Sequence, residues 1–141
     1  MTTRATILVT LALLLGPGLP PTAAQDGATR TFNAPADRVY PVTRSVLKSL
    51  GWDIDKEDRT VGWMRTDSRR LDGENFGVYA KGVKHRLRVV VSRQDAGRCT
   101  VTVERRLYKE ERILFVDKEE DIKTDDRLVE KQILDEIGRS L

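Results

Sequence analysis

The chain contains one histidine and one cysteine, His85 and Cys99, and any covalent chemistry of its own has to begin with them. A thiol held beside an imidazole makes a nucleophile and its base. The two residues fall in neighbouring strand-like runs, "KHRLRVVVSRQ" and "RCTVTVERRLY", and would meet only in a hairpin register other than the one these runs favour. A free cysteine in a strand is far more often a small buried residue, and His85, between Lys84 and Arg86, reads as a partly exposed side chain. A single histidine also leaves no histidine metal cluster and no dyad with a second histidine. The chain carries no G-x-S-x-G, no phosphate loop and no H-E-x-x-H. The acidic run "DKEEDIKTDD", residues 117 to 126, lacks the spacing of a calcium loop and reads as solvated loop. The expectation is a protein with no catalytic residues, no metal and no cofactor.

Binding chemistry is better represented. Residues 67 to 83, "DSRRLDGENFGVYAKGV", carry Leu71, Phe76, Val78 and Tyr79 among three glycines. A connection of that length is either functional or a longer hairpin, here drawn around Gly73. The stretch that follows adds Lys81, Lys84, Arg86 and Arg88, set against the acidic run 117 to 126. Phe76 and Tyr79 are the candidate anchors for a partner, since aromatic side chains dominate interface energies. Lys81, Lys84, Arg86 and Arg88 would steer an acidic partner or an anionic headgroup. A solvated sheet face with ordinary cross-strand charge pairs explains the same basic residues.

These residues need a scaffold, and its elements are legible. Pro35 suits the first position of a helix and Asp37 its first turn. Val39, Val42, Val46, Leu47 and Leu50 then recur at helical spacing, and Gly51 stops the helix. Pro41 implies either a late start or a bend. "GWDIDKED" and "TVGWMRTDS" read as two short strands; Trp52 and Ile54 share a face, whereas adjacent Trp63 and Met64 face opposite ways. The strongest signal is the next hairpin. "DAG" has the form of a three-residue loop with a left-handed glycine, and it pairs Val91 with Val101, Val89 with Val103, and Arg88 with Glu104. "DDRLVEKQILDEIGRSL" places Leu128, Val129, Ile133, Leu134, Ile137 and Leu141 on one helical stripe. Strands with one apolar face and two amphipathic helices to cover it make an α+β, two-layer domain.

The beginning of the chain supplies an address. Arg4, the nine-residue run from Ile7 to Leu15 and "GPGLPPTAA" read as a secretory signal peptide over residues 1 to 24. A membrane span needs about 20 apolar residues. With no cysteine before Cys99 there is no lipidation site near such a signal, so the expected product is exported, unlipidated and periplasmic, with secretion into the medium as the alternative. Residues 25 to 29 read as a loose leader and 30 to 141 as one domain. The mature chain would hold 24 basic and 22 acidic residues, too even a balance for wholesale nucleic-acid binding. One cysteine forms no internal disulfide, so stability rests on the core.

"NAPADRVY" at a helix start, "LGWDI" at its exit, the "D…GWMRT" and "HRLRVVV…RCTVTV" hairpins and the terminal "LVEKQILDEI" together resemble helix-grip domains. In element order and pattern the chain resembles the lipoprotein C subunit of the outer-membrane β-barrel assembly machinery, over nearly all of residues 30 to 141. It differs in lacking the lipidated cysteine and a second helix-grip copy. That resemblance implies an antiparallel sheet covered on one face by an N-terminal and a C-terminal helix, and action by contact with an envelope protein rather than catalysis. The "APADRVY" start is also similar to ligand-binding helix-grip proteins of the START type, which implies the alternative of an apolar or lipid-like ligand carried between sheet and last helix. A cavity lined by Trp52, Ile54, Leu87, Val89 and Leu134 would mark the carrier; a filled core would mark the interaction module.

Overall fold

The structure is a computed structural model that describes residues 27 to 141. The expected signal peptide and the first two residues of the leader lie outside the described residues. The elements run β1 (Gly27–Phe32), α1 (Ala36–Ser49), β2 (Ile54–Asp58), β3 (Trp63–Thr66), β4 (Arg69–Asn75), β5 (Tyr79–Asp95), β6 (Arg98–Ile113), β7 (Val116–Ile122) and α2 (Leu128–Ser140). Among the described residues, seven antiparallel strands and two helices make an α+β fold that is mostly sheet.

Two very long strands organise everything else. β5 and β6 pair from Tyr79–Ile113 to Asp95–Arg98, with Val89 opposite Val103, Val91 opposite Val101 and Arg88 opposite Glu104, as the alternation requires. At one end of this hairpin the sheet is widened by β1 on β6 and by β3 and β2 beyond β5. At the other end, β4 takes over on β5 and β7 on β6. The odd-numbered face of the first half is the core side. Leu87, Val89, Val91, Cys99, Val101 and Val103 are buried there with Met64, Val39, Leu47, Ile133, Leu134 and Ile137. Both helices lie on that face, packed on β5 and β6 and on each other. They stop short of the second half of the sheet, so residues 69 to 84 and 107 to 122 form a blade without helical cover. That departs from a sheet covered along its whole length.

Local chemistry accounts for the helix ends. α1 closes with the Trp52 N–H bonded to the Leu47 carbonyl at 2.8 Å and the Gly51 N–H to that of Lys48 at 2.9 Å. Gly51, with φ of 78°, supplies the left-handed residue that this closure needs. Pro35 caps the helix rather than opening it, and there is no late start: Pro41 lies inside the helix, exposed. In α2 the expected stripe is buried at Ile133, Leu134 and Ile137, whereas Leu128 is exposed.

Four other expectations change. Residues 27 to 29 are part of β1 rather than a leader, because their backbone is paired with residues 102 to 104 of β6. Residues 67 to 83 are not a loop but mostly strand, turning at Phe76–Val78 instead of at Gly73. Residues 117 to 122 are likewise strand, held by Arg106 and Arg112 through Asp121, Glu119 and Asp117. The β5–β6 loop is tighter than "DAG" implies: Asp95 pairs with Arg98, its carboxylate accepts the Gly97 N–H at 2.9 Å, and Gly97 is not left-handed.

Candidate functional site

The parity of a strand decides where the six candidate binding residues go. Side chains alternate between faces, so Tyr79 and Lys81 lie on the helix side of β5 while Lys84, Arg86 and Arg88 lie on the open side. What reads in sequence as one patch is therefore two surfaces.

The open face carries a groove of about 660 Å³ whose walls include Trp63, Arg65, Arg86, Arg88, Glu104 and Arg106. Seven basic and three acidic residues line it, so its field favours an acidic occupant. Several cations are already committed. Arg88 reaches Glu104 at 3.3 Å, Arg65 pairs with Asp55, and Arg106 bridges Glu119 at 2.8 Å and Asp121 at 2.6 Å. Arg86 makes no ion pair among the described residues and stands over the buried Tyr108 ring at 5.8 Å. Tyr108 is itself fixed by a 2.6 Å hydroxyl contact with Ser68 and by Arg106 at 4.6 Å from its ring. Lys84 sits on the same face but not in the groove. Its Nζ donates to Glu110 Oε1 at 2.7 Å while Arg70 donates to Oε2 at 3.1 Å, and the Glu110 side chain is only 8% exposed. Lys84 is a structural cation.

The second surface is the free end of the blade. Here the β4–β5 turn, with Phe76, Val78 and Tyr79, lies beside the β6–β7 turn, with Ile113, Leu114, Phe115 and Val116; Tyr79 and Ile113 are paired in register. All seven side chains are exposed, Phe115 to 78% and Leu114 to 76%. Arg112 ties the turns together, donating to the Gly77 carbonyl at 3.3 Å and to Asp117 at 2.5 Å. The β6–β7 turn is a two-residue loop with φ of 52° at Leu114 and 68° at Phe115. That is the geometry Asn-Gly adopts freely; for side chains with a Cβ it costs about 1–2 kcal/mol per residue. Strained, exposed apolar residues concentrate at functional positions. Sequence reasoning named Phe76 and Tyr79 and did not name Leu114 and Phe115, which the fold places beside them. Their adjacency, with a strand pattern before them and an acidic run after, was the available signal. Lys81 lies one step behind this tip, on the wall of a groove of about 610 Å³ with Tyr79 and Val83.

The would-be nucleophile and base are far apart. Cys99 faces Arg93 and His85 faces Leu107, eight residues along β5, or about 26 Å at ~3.3 Å per residue. Burial pushes the Cys99 thiol up, towards its unreactive form. Burial first, and then the cations Arg105 and Arg69, hold the His85 imidazole below its ordinary value. His85 is buried against Trp52, ring centroids 4.8 Å apart, rather than partly exposed. The expected cavity residues Trp52, Leu87, Val89 and Leu134 are buried in one cluster, with Ile54 packed at its edge. Among the described residues no helix is long and apolar enough to cross a membrane.

Comparison with known proteins adds no relative: no protein-family model matches the chain, and no curated protein does.

Proposed function

We propose that this chain is a non-catalytic, exported binding module of the cell envelope: a helix-grip domain similar in kind to the lipoprotein C subunit of the outer-membrane assembly machinery, serving outer-membrane assembly or maintenance. It acts in the periplasm by holding an envelope protein through an acidic segment. The observation that carries this reading is the basic groove on the helix-free face, lined by Trp63, Arg86, Arg88 and Arg106, with Arg86 and Arg106 also standing 5.8 Å and 4.6 Å from the buried Tyr108 ring. A sheet face that only needed to be wetted would neutralise its charges pair by pair; this one leaves Arg86 uncommitted. The carrier reading needs a hollow among Trp52, Leu87, Val89 and Leu134, which belong to one buried apolar cluster.

In a fractionated host the protein should appear as a soluble periplasmic species beginning near Gln25, without an acyl group. That species should bind a fluorescent polyglutamate probe, measured by anisotropy, with an affinity that falls as salt rises. Arg86→Glu/Arg88→Glu should weaken it by about tenfold or more. Lys84 is kept out of this variant, since reversing it would set a second carboxylate against the nearly buried Glu110. Binding that ignores both salt and the double reversal, or an acylated species in washed membranes, would sink the proposal.

A further inference from the structure

We propose that the paired turns at the end of the blade are a lipid-docking tip, which enters the interface of an electrically neutral bilayer. This goes beyond the groove and does not depend on it.

The shape of the surface selects the occupant. The tip is a projection, formed where two adjacent hairpins end together; the nearest groove lies behind it, with Tyr79 the one tip residue on its wall. A soft interface accepts a projecting apolar knuckle of any outline, whereas a folded partner must present a matching pit. A second copy meeting it tip to tip presents only the same projection. Its strand edges are also poor templates for pairing: β7 is a row of charged residues from Asp117 to Asp121, and β4 is bulged between Arg70 and Asp72.

Depth and charge fit a bilayer surface. From Phe115 back to the Tyr79–Ile113 pair is two residues, or about 7 Å of strand. Apolar groups docked on a membrane sit about 5–10 Å into the boundary between headgroups and chains. Immediately behind come the first charges. Lys81, Arg112 and Lys118 are matched by Glu74, Glu111 and Asp117 on facing or adjoining register positions. A collar of balanced charge is accommodated among zwitterionic headgroups and exerts little pull on anionic ones. Tyr79 stands at the junction, apolar in its ring and polar at its hydroxyl. The left-handed backbone at Leu114 and Phe115 completes the case. The unstrained Asn-Gly would serve the hairpin better, so the two large side chains are kept for what they touch beyond it.

The test uses the purified chain from Gln25, vesicles of pure phosphatidylcholine and sedimentation. The protein should pellet with the vesicles, and its partition should change by less than about twofold between about 0.1 and 0.5 M salt. Leu114→Asn/Phe115→Gly should reduce partition by about tenfold or more, with a melting temperature equal to or above that of the unmodified chain. If that variant does not fold, Phe76→Ser in the neighbouring turn reads the same contact. Arg86→Glu/Arg88→Glu should bind vesicles like the unmodified protein, so the groove and the tip fail separately. The proposal is overturned if the chain ignores neutral vesicles or the tip variants bind as well as the original. It is also overturned if binding requires anionic lipid and vanishes in salt, or if the tip instead drives concentration-dependent self-association.

Discussion

Glu130 is fully buried under the first turns of α2, and neither carboxylate oxygen has a hydrogen-bond donor. Its counterion is Arg105, whose Nε lies 3.8 Å away and whose side chain is only 7% exposed. Arg105 also reaches the Asp126 carbonyl at 3.1 Å and its carboxylate at 3.3 Å, so the guanidinium joins β6 to the entry of α2. A buried pair of this kind is costly to make and costlier to break, because removing one member leaves an uncompensated charge. Arg105→Ala should therefore destabilise the protein by about 3 kcal/mol or more in chemical denaturation. Glu130→Gln, which keeps the shape and leaves Arg105 its second counterion in the Asp126 carboxylate at 3.3 Å, should cost about 1 kcal/mol or less. The reverse order would mean that Arg105 is not the partner that matters. None of this was legible in the sequence: Glu130 sits between apolar positions of the α2 stripe, and the 3.6-residue period gives no sign that a carboxylate there points inward.

At the scale of elements, legibility followed burial. The β5–β6 hairpin was readable to the register because one face is buried, and burial enforces alternation of Val89, Val91, Val101 and Val103. β7 was invisible for the opposite reason. It lies beyond the helices with nearly every residue exposed, so neither face had to be apolar and no period was written into it. Its turn was hidden too, since Leu-Phe replaces the glycine or asparagine that announces a left-handed hairpin. The same logic explains the merged binding patch. Phe76 through Arg88 read as one stretch, although strand parity divides Lys81 from Lys84 once β5 is known to begin at Tyr79. Helix α1 shows a local rule overridden by packing. Pro41 withholds the N–H that the Asp37 carbonyl would accept, yet Val39, Thr43, Val46 and Leu47 are buried around it and keep the helix whole. Pro41 is exposed, so Pro41→Ala should raise stability by about 1–3 kcal/mol, the helical gain less the greater freedom of the unfolded chain. A loss of stability would show that the proline ring supports the fold in a way its exposure conceals.

At the largest scale, the described residues form one sheet with two kinds of support. Along Leu87–Val91 and Cys99–Val103 it is covered by both helices and widened by β1 and β3; along Tyr79–Lys84 and Tyr108–Ile113 it is only four strands held by charge pairs. Apolar burial supplies most of the resistance to opening, and exposed ion pairs supply about 0–1 kcal/mol each. The two ends should therefore differ in local stability even though the same two strands run through both. Native-state hydrogen exchange tests this directly. Amides of Val89, Val91, Val101 and Val103 should exchange only through global unfolding. Those of Lys81, Val83, Lys109 and Glu111 should exchange through a smaller opening, with Glu110 and its two cations as the last point of resistance. If the strands exchange uniformly from end to end, the blade is an integral part of the body, and the tip would approach a membrane as a rigid post. If the two tiers are found, the tip is carried on a segment that can yield while the helix-covered body, and the groove beside it, remain folded. On the reading proposed above, that division would let one end meet a surface while the middle holds a partner.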